Sequence, residues 1–437
     1  MSNQFQLLKE PRFKPFFWTQ FLGAFNDNVF KTALITLVTF HAATLTDMSG
    51  AMLATVLPAV FILPFFIFSA TAGQIADKFE KSKIIRAVKL FEIGIMCFAA
   101  AGFYLHNIGL LGTALFMMGM HSAIFGPVKY SYLPQHLQPN ELIGGNGMVE
   151  MGSFVAILLG QVLGAWLANK GSLIISLTII GIAVLGYFTS RGVPNSPAAD
   201  SSLNINFNLV TETWRNLKLA WRNQTIWLAL VAISWFWFYG AILLAQFPVF
   251  AKNVLHGDES VFILLLSVFS LGIGLGSLCC EKLAKGKVEL GLVLFGAIGM
   301  AIFGFDFALT SLAQPTASGN LLTFSQYLSS FSQWHLLFDI AMLGLFAGFY
   351  IVPLYTLIQT AGEKTHQSRT IAANNILNAL FMVASVGFSI VIFAQNFSIP
   401  QLFMATAVLH VLVIAYLCWR QPVYLSAFKQ WVSKKNA

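Results

Sequence analysis

The chain has 437 residues, 57% of them hydrophobic and only 10% charged, with a mean hydropathy of +0.74. A soluble domain carries about 25% charged residues, so water is excluded as the main solvent; at roughly 20 apolar residues per membrane helix, the length holds roughly 12 spans and leaves little for a soluble enzyme domain. The net charge of +8 lies in short basic clusters between apolar runs, which argues against a nucleic-acid surface and fits a membrane-topology signal.

The first long apolar run, near Phe16 to Ala42, contains Asp27 and Lys31 and lacks a small-residue cleavage site. It is therefore expected to remain as the first span and not to be removed as a signal peptide. Asp27 lies roughly 16 Å into this helix, about halfway across at 1.5 Å per residue. An ionisable group at that depth costs on the order of 3 kcal/mol and defaults to a functional hypothesis. Lys31, one turn on, offers an intrahelical ion pair, and Asn26 and Asn28 add polar capacity for a substrate or a coupling ion; the two readings are compatible.

Spans follow at 51–73, 83–105, 108–136, 142–168 and 173–189. Between the second and third, Gly73, Asp77, Lys78 and Lys81 form a glycine-acid-base arrangement at a helix terminus. A carboxylate facing a basic loop can latch one half-bundle to another and release it, and Arg369 in a later basic loop is grouped with this latch. Glu92, Asp306 and Asp339 are expected at snorkelling or interfacial positions near helix ends. In the fourth span Gly126 and Pro127 precede Lys129 and Tyr130; the fifth opens with Asn146 and Glu150. Lys129 and Glu150 are expected at similar depth and able to pair, either as a structural salt bridge or as a gate in which Lys129 meets a phosphate as a point charge.

Residues 191–223 break the apolar pattern with Pro194, Pro197 and a run of Ser and Asn. Within them Trp214, Leu217 and Trp221 recur at helical spacing beside Arg215, Lys218 and Arg222, predicting a short helix on the inner membrane face, read as an interfacial brace in preference to a calmodulin-like or lipid-sensing partner site. Six more spans are predicted at 225–250, 260–284, 288–312, 333–359, 369–395 and 400–419, so the organisation is 1–190, a linker 191–223, and 224–437. Trp235, Trp237, Tyr239 and Gln246 in the seventh span are candidates to line a cavity opposite the first, where aromatic faces can hold an ammonium group. The halves echo each other weakly. Aligning Pro127 with Pro353 sets Lys129 opposite Tyr355, and Asn146 and Glu150 share their spacing with Asn374 and Asn378.

Lys and Arg crowd one set of alternate loops, leaving only Lys170 and Lys252 on the other side, which predicts both termini in the cytoplasm. The four cysteines show no metal or redox spacing, and no nucleophile elbow, P-loop, HExxH or dinucleotide fingerprint is present; no enzyme, cofactor or metal is expected.

Four motifs then point further: Phe21-Leu-Gly-Ala-Phe-Asn-Asp-Asn28, Gly73-Gln-Ile-Ala-Asp77, Gly126-Pro-Val-Lys-Tyr130 and Gly145-Asn-Gly-Met-Val-Glu150. Together they resemble the bacterial lysophospholipid transporter family within the major facilitator superfamily. Looser likeness continues at Ala156-Ile-Leu-Leu-Gly160, Val352-Pro353 and Ala373-Asn374. The resemblance implies an all-α membrane protein of the major facilitator fold, with 12 transmembrane helices in two six-helix halves. It further implies a bacterial inner-membrane carrier that flips lysophosphatidylethanolamine-type lipids to the cytoplasmic leaflet. There a separate acyltransferase and acyl-carrier-protein synthetase would restore the second chain. Lys129 with Asp27 or Glu150 could then address the headgroup, membrane lipids would surround a chain acting as a monomer, and no nucleic acid is involved. Glu80 departs from the glycine usual in the loop motif. The competing readings are an exporter of drugs or small metabolites and a non-transporting membrane protein.

Overall fold

The computed structural model describes residues 4–41, 50–314, 321–329 and 331–436. Ala42, where the first span was expected to end, lies outside them. Among the described residues twelve helices have 20 residues or more, and these are the twelve expected spans. The first six are α1 (Lys14–His41), α2 (Gly50–Lys78), α3 (Lys81–Tyr104), α4 (Ile108–His136), α5 (Leu142–Ala168) and α6 (Ser172–Arg191). A short α7 (Leu209–Trp221) occupies the linker, and then come α8 (Gln224–Asn253), α9 (Glu259–Ala284) and α10 (Leu290–Leu312). A five-residue α11 (Phe324–Leu328) precedes α12 (Phe331–Thr360), α13 (Gln367–Ala394), α14 (Ile399–Arg420) and a terminal α15 (Val423–Asn436).

Ten of the twelve are long and apolar enough to cross a membrane by length and composition. The other two carry the polar groups that matter below: Asn26, Asp27, Asn28 and Lys31 on α1, and Lys81, Lys83, Arg86, Lys89 and Glu92 on α3. Proline is tolerated inside α2, α4, α8 and α12, as it is where neighbouring helices re-satisfy the freed backbone groups.

In the first half α1 packs on α5 and α6, α2 on α4, and α3 on α4 and α6; in the second, α12 packs on α9 and α10, α8 on α13, and α10 on α14. Between the halves α5 meets α9 and α2 meets α13, whereas α1 and α8 make no extensive contact among the described residues. Direct bonds between the halves lie at the end holding the linker and both termini. There Gln4 Nε2 donates to the Leu278 carbonyl at 2.7 Å, and its backbone N–H donates to Glu281 at 3.0 Å. Arg12 grips Glu141 with two parallel bonds of 2.7 and 2.8 Å, tying the entry of α1 to the start of α5. That guanidinium holds the Glu141 carboxyl below its ordinary range.

The linker segment holds the helix α7, which packs one face and exposes another. It buries Glu212, Asn216 and Ala220 against α2 and α13 and leaves Val210, Trp214 and Trp221 exposed. The terminal α15 lies beyond the last span predicted from the sequence. Its Trp431 nonetheless reaches α10, with ring centroids 5.2 Å from Phe295, and donates its indole N–H to the Leu283 carbonyl at 3.2 Å.

Candidate functional site

Midway along α1 the polar residues enter a buried network that the sequence reading only half anticipated. Ser122 of α4 donates to Asp27 Oδ2 at 2.8 Å, while Asp27 Oδ1 is buried with no hydrogen-bond partner among the described residues. Asn26 donates to Glu92 Oε1 at 2.8 Å, Lys89 meets Glu92 Oε2 at 2.6 Å, and His121 Nε2 lies 3.3 Å from that same oxygen. Both Lys89 and Glu92 side chains are only 1% exposed. Glu92 is therefore no interfacial residue, because α3 turns it inward onto α1 and α4 and Lys89 neutralises it. Asp339 likewise is buried rather than snorkelling, beside the more exposed Asp306 and His335. These three place ligand-type atoms within 4.8 Å of one another.

Lys31 does not close an ion pair with Asp27. Its ammonium instead lies 5.2 Å from the centroid of the Phe61 ring on α2, a cation–π position. Asn28 donates to the Ala24 carbonyl within its own helix. Asp27, Lys31 and Ser122 all remain half-buried at mid-helix.

Nearer the linker end the two halves meet on a floor. Tyr130 of α4 and Tyr355 of α12 stack with centroids 4.3 Å apart and planes 4° from parallel. Tyr130 donates its hydroxyl to Glu150 at 2.6 Å, and Lys129 donates to Ser153 at 2.9 Å. The expected Lys129–Glu150 salt bridge is thus replaced by two neutral partners, since Tyr130 occupies the carboxylate first. Asn146 is doubly bonded to Gln359 of α12, at 2.6 and 3.0 Å, and donates to Thr356 at 3.1 Å. Gly126 leaves no room for a Cβ against the Asn375 amide of α13. Asn374 is fully buried in the first turns of α13, and Asn378 accepts from Ser234 of α8 at 2.9 Å.

Of the α8 aromatics, the geometry separates those grouped by sequence. Trp235 donates to His410 of α14 at 2.8 Å, and Tyr239 lies under Gly304 of α10 against the same imidazole; both are interior to the second half. Trp237, on the opposite side of the helix, is half-buried and donates to the Tyr355 hydroxyl at 3.3 Å.

The acidic loop residue closes the linker end. Asp77 takes the Arg369 Nε–H at 3.0 Å and the Ser368 backbone N–H at 3.0 Å, capping the start of α13 from the end of α2. Gly73 permits this approach, because a Cβ there would come within 2.7 Å of Ala372 and 3.1 Å of the Ser368 carbonyl. Lys78 and Lys81 do not reach the pair: Lys78 lies over Phe79, and the Lys81 ammonium is buried without a hydrogen-bond partner. Glu80 turns away to Ser82 and Lys83, which together lower its carboxyl, so the departure from glycine leaves the Asp77–Arg369 contact intact. His121 and Ser122 on α4 are the site residues that the sequence reading missed. No local signal marks them, whereas Lys89 three residues before Glu92 in an apolar run was a visible hint of pairing.

The family described as Major Facilitator Superfamily matches residues 16–325. Similar curated proteins include the lysophospholipid transporter LplT of Klebsiella pneumoniae, 27% identical over 378 residues, spanning 84% of this chain and 85% of its own. The lysophospholipid transporter LplT of Photorhabdus laumondii is 26% identical over 382 residues, spanning 86% of this chain and 87% of its own. Among solved structures, the human organic anion transporter MFSD10 superposes with a TM-score of 0.71 at 12% identity, covering 92% of this chain and 99% of that one. The Escherichia coli fucose:proton symporter FucP does so at 0.66 and 13% identity, covering 93% and 98%. These two likenesses speak to the fold alone.

Proposed function

The chain belongs to the Major Facilitator Superfamily, and from that premise we propose that it is a secondary carrier of lysophospholipids of the lysophosphatidylethanolamine type. In this reading it moves them across the bacterial inner membrane to the cytoplasmic leaflet by alternating access. The cargo rests on one observation: relatives named as lysophospholipid transporters run alongside 84% of the chain. The residues make chemical sense of it. A lysolipid headgroup carries a phosphate and usually an ammonium; Lys31 and Lys129 supply cations to the first, and Asp27, with one carboxylate oxygen unbonded, supplies an anion to the second. Trp237 and the Tyr130–Tyr355 pair form the floor on which a headgroup would rest.

On this reading the halves are residues 1–190 and 224–437, joined by the linker 191–223. The linker end is the cytoplasmic end, with both termini there, because that end carries most of the lysines and arginines. In this reading the transport cleft lies between α1 and α8 and opens to the periplasmic side, and the Asp77–Arg369 contact is the latch that must break for release inward. One bundle of two halves suffices, so the carrier acts as a monomer, and re-acylation falls to a separate acyltransferase and acyl-carrier-protein synthetase.

The test is uptake of radiolabelled lysophosphatidylethanolamine by spheroplasts lacking their own carrier, with wild type, Asp27→Asn and Lys129→Ala at matched expression. Uptake restored by wild type and lost in both variants is the expected result. Uptake indifferent to both variants would keep the cargo and discard the site. No uptake from a folded wild-type protein would favour an exporter of another cargo.

A further inference from the structure

The linker helix does more than brace. On its surface Arg215, Lys218 and Arg222, together with Asn216 and Leu219, meet His366 and Arg369 at the start of α13 around a cavity of about 320 Å³. That volume is within the range of small-ligand pockets. The charges are poorly matched. Arg215 has only a distant contact to Glu212 at 3.8 Å, and Glu212 itself is turned inward. Arg369 is shared between Asp77 at 3.0 Å and Asp200 at 3.9 Å. Lys218 and Arg222 form no ion pair among the described residues.

Beside this basic rim runs an apolar one. Trp214 is 69% exposed and Trp221 64% exposed, with Val210 a turn before them on the same face. Tryptophan at such positions seats a helix at the headgroup level of a bilayer. Guanidinium groups fork onto phosphate oxygens, and clustered basic residues next to a membrane select anionic lipid.

We propose that the cavity between α7 and the start of α13 binds the phosphate of an anionic two-chain phospholipid, as a resident site separate from the transport cleft. The phosphate lies among Arg215, Lys218, Arg222 and His366, and the acyl chains run over Val210, Trp214 and Trp221. A lipid so held bridges the linker to the half that carries Arg369. A free phosphate could satisfy the same cations, but it would make no use of the tryptophan face, and so the lipid is the occupant that the whole surface fits.

The full chain, purified in neutral detergent, is examined by native mass spectrometry with phosphatidylglycerol or phosphatidylcholine, each with and without excess inorganic phosphate. The combined variant Arg215→Ala, Lys218→Ala, Arg222→Ala is compared with a control that loses the same charge at the same end, Lys282→Ala, Lys287→Ala, Lys429→Ala; all six side chains are exposed, so folding is not at stake. Expected is retention of phosphatidylglycerol by wild type and control, weakened about tenfold or more in the arginine-lysine variant, with phosphatidylcholine weak throughout. Displacement by phosphate alone would keep the anion site and make a soluble phosphate its occupant. Equal retention by the two variants, or no retention by wild type, would overturn the site.

Discussion

At the scale of single residues two acids of the first half differ: Glu92 is buried and neutralised, whereas Asp27 is half-buried and has one oxygen unpartnered among the described residues. Glu92 is enclosed with Lys89, Asn26 and His121. Removing one member of such a pair leaves the other charge uncompensated, at a cost of roughly 3 to 5 kcal/mol. Glu92→Gln should therefore lower the melting temperature sharply, and adding Lys89→Met should recover much of the loss. Asp27→Asn, by contrast, removes a group that already lacks one partner and should melt close to wild type while abolishing uptake. A melt of Asp27→Asn as low as that of Glu92→Gln would make Asp27 a structural residue. The Arg12–Glu141 pair adds a pH effect outside the membrane. Its carboxyl is lowered first by the Arg12 hydrogen bonds, with burial opposing. A depressed folded value means stabilisation present above the ordinary 4.5 and lost as pH falls through the folded value. Glu141→Gln should cost about 1 to 2 kcal/mol near pH 7, and its melting curve should converge on that of wild type well below pH 4.5. A gap that persists in acid would point to a role other than the charge.

At the scale of elements, α9 and α12 pack backbone against backbone at their glycines. A Cβ on Gly272 would come within 2.5 Å of the Ala341 carbonyl, one on Gly344 within 2.5 Å of the Phe269 carbonyl, and one on Gly276 would run into the Leu345 carbonyl. The obstructions are backbone, which cannot swing aside. Small residues four apart let two backbones approach, and packing is what holds helices together where lipid offers no hydrophobic gain. Gly276→Leu should separate the pair and give an aggregated or low-melting protein, whereas Gly387→Leu on α13, with open space around it, should elute as wild type in size-exclusion chromatography. The spans themselves were legible because each needs only its own run of apolar residues. The helix α15 was not, since its amphipathic face has meaning only once Trp431 finds α10.

At the scale of the whole molecule, polar contacts join the halves at the linker end alongside the packing of α5 on α9 and α2 on α13. Arg369→Ala leaves Asp77 with a backbone N–H alone, and about 1.4 kcal/mol suffices for a tenfold change in the ratio of two states. Spin labels at Lys83 and Lys364, exposed sites in opposite halves at the linker end, should report longer distances in Arg369→Ala than in the parent carrying the native latch. Unchanged distance distributions would mean that the Asn146–Gln359 and tyrosine contacts hold this end closed by themselves. The sequence by itself determined the solvent, the twelve spans, the six-linker-six order, the amphipathic linker helix and the Gly73–Asp77 motif. Each of these follows from backbone hydrogen bonding within a segment and from the side chains of that segment. Only the tertiary structure decided that Glu92 turns inward, that Tyr130 rather than Lys129 meets Glu150, that Trp237 rather than Trp235 faces the floor, and that Lys78 and Lys81 stay away from Asp77. Those outcomes depend on the rotation of each helix about its axis and on partners distant in the chain, and an all-round apolar helix carries no polar stripe to announce its rotation.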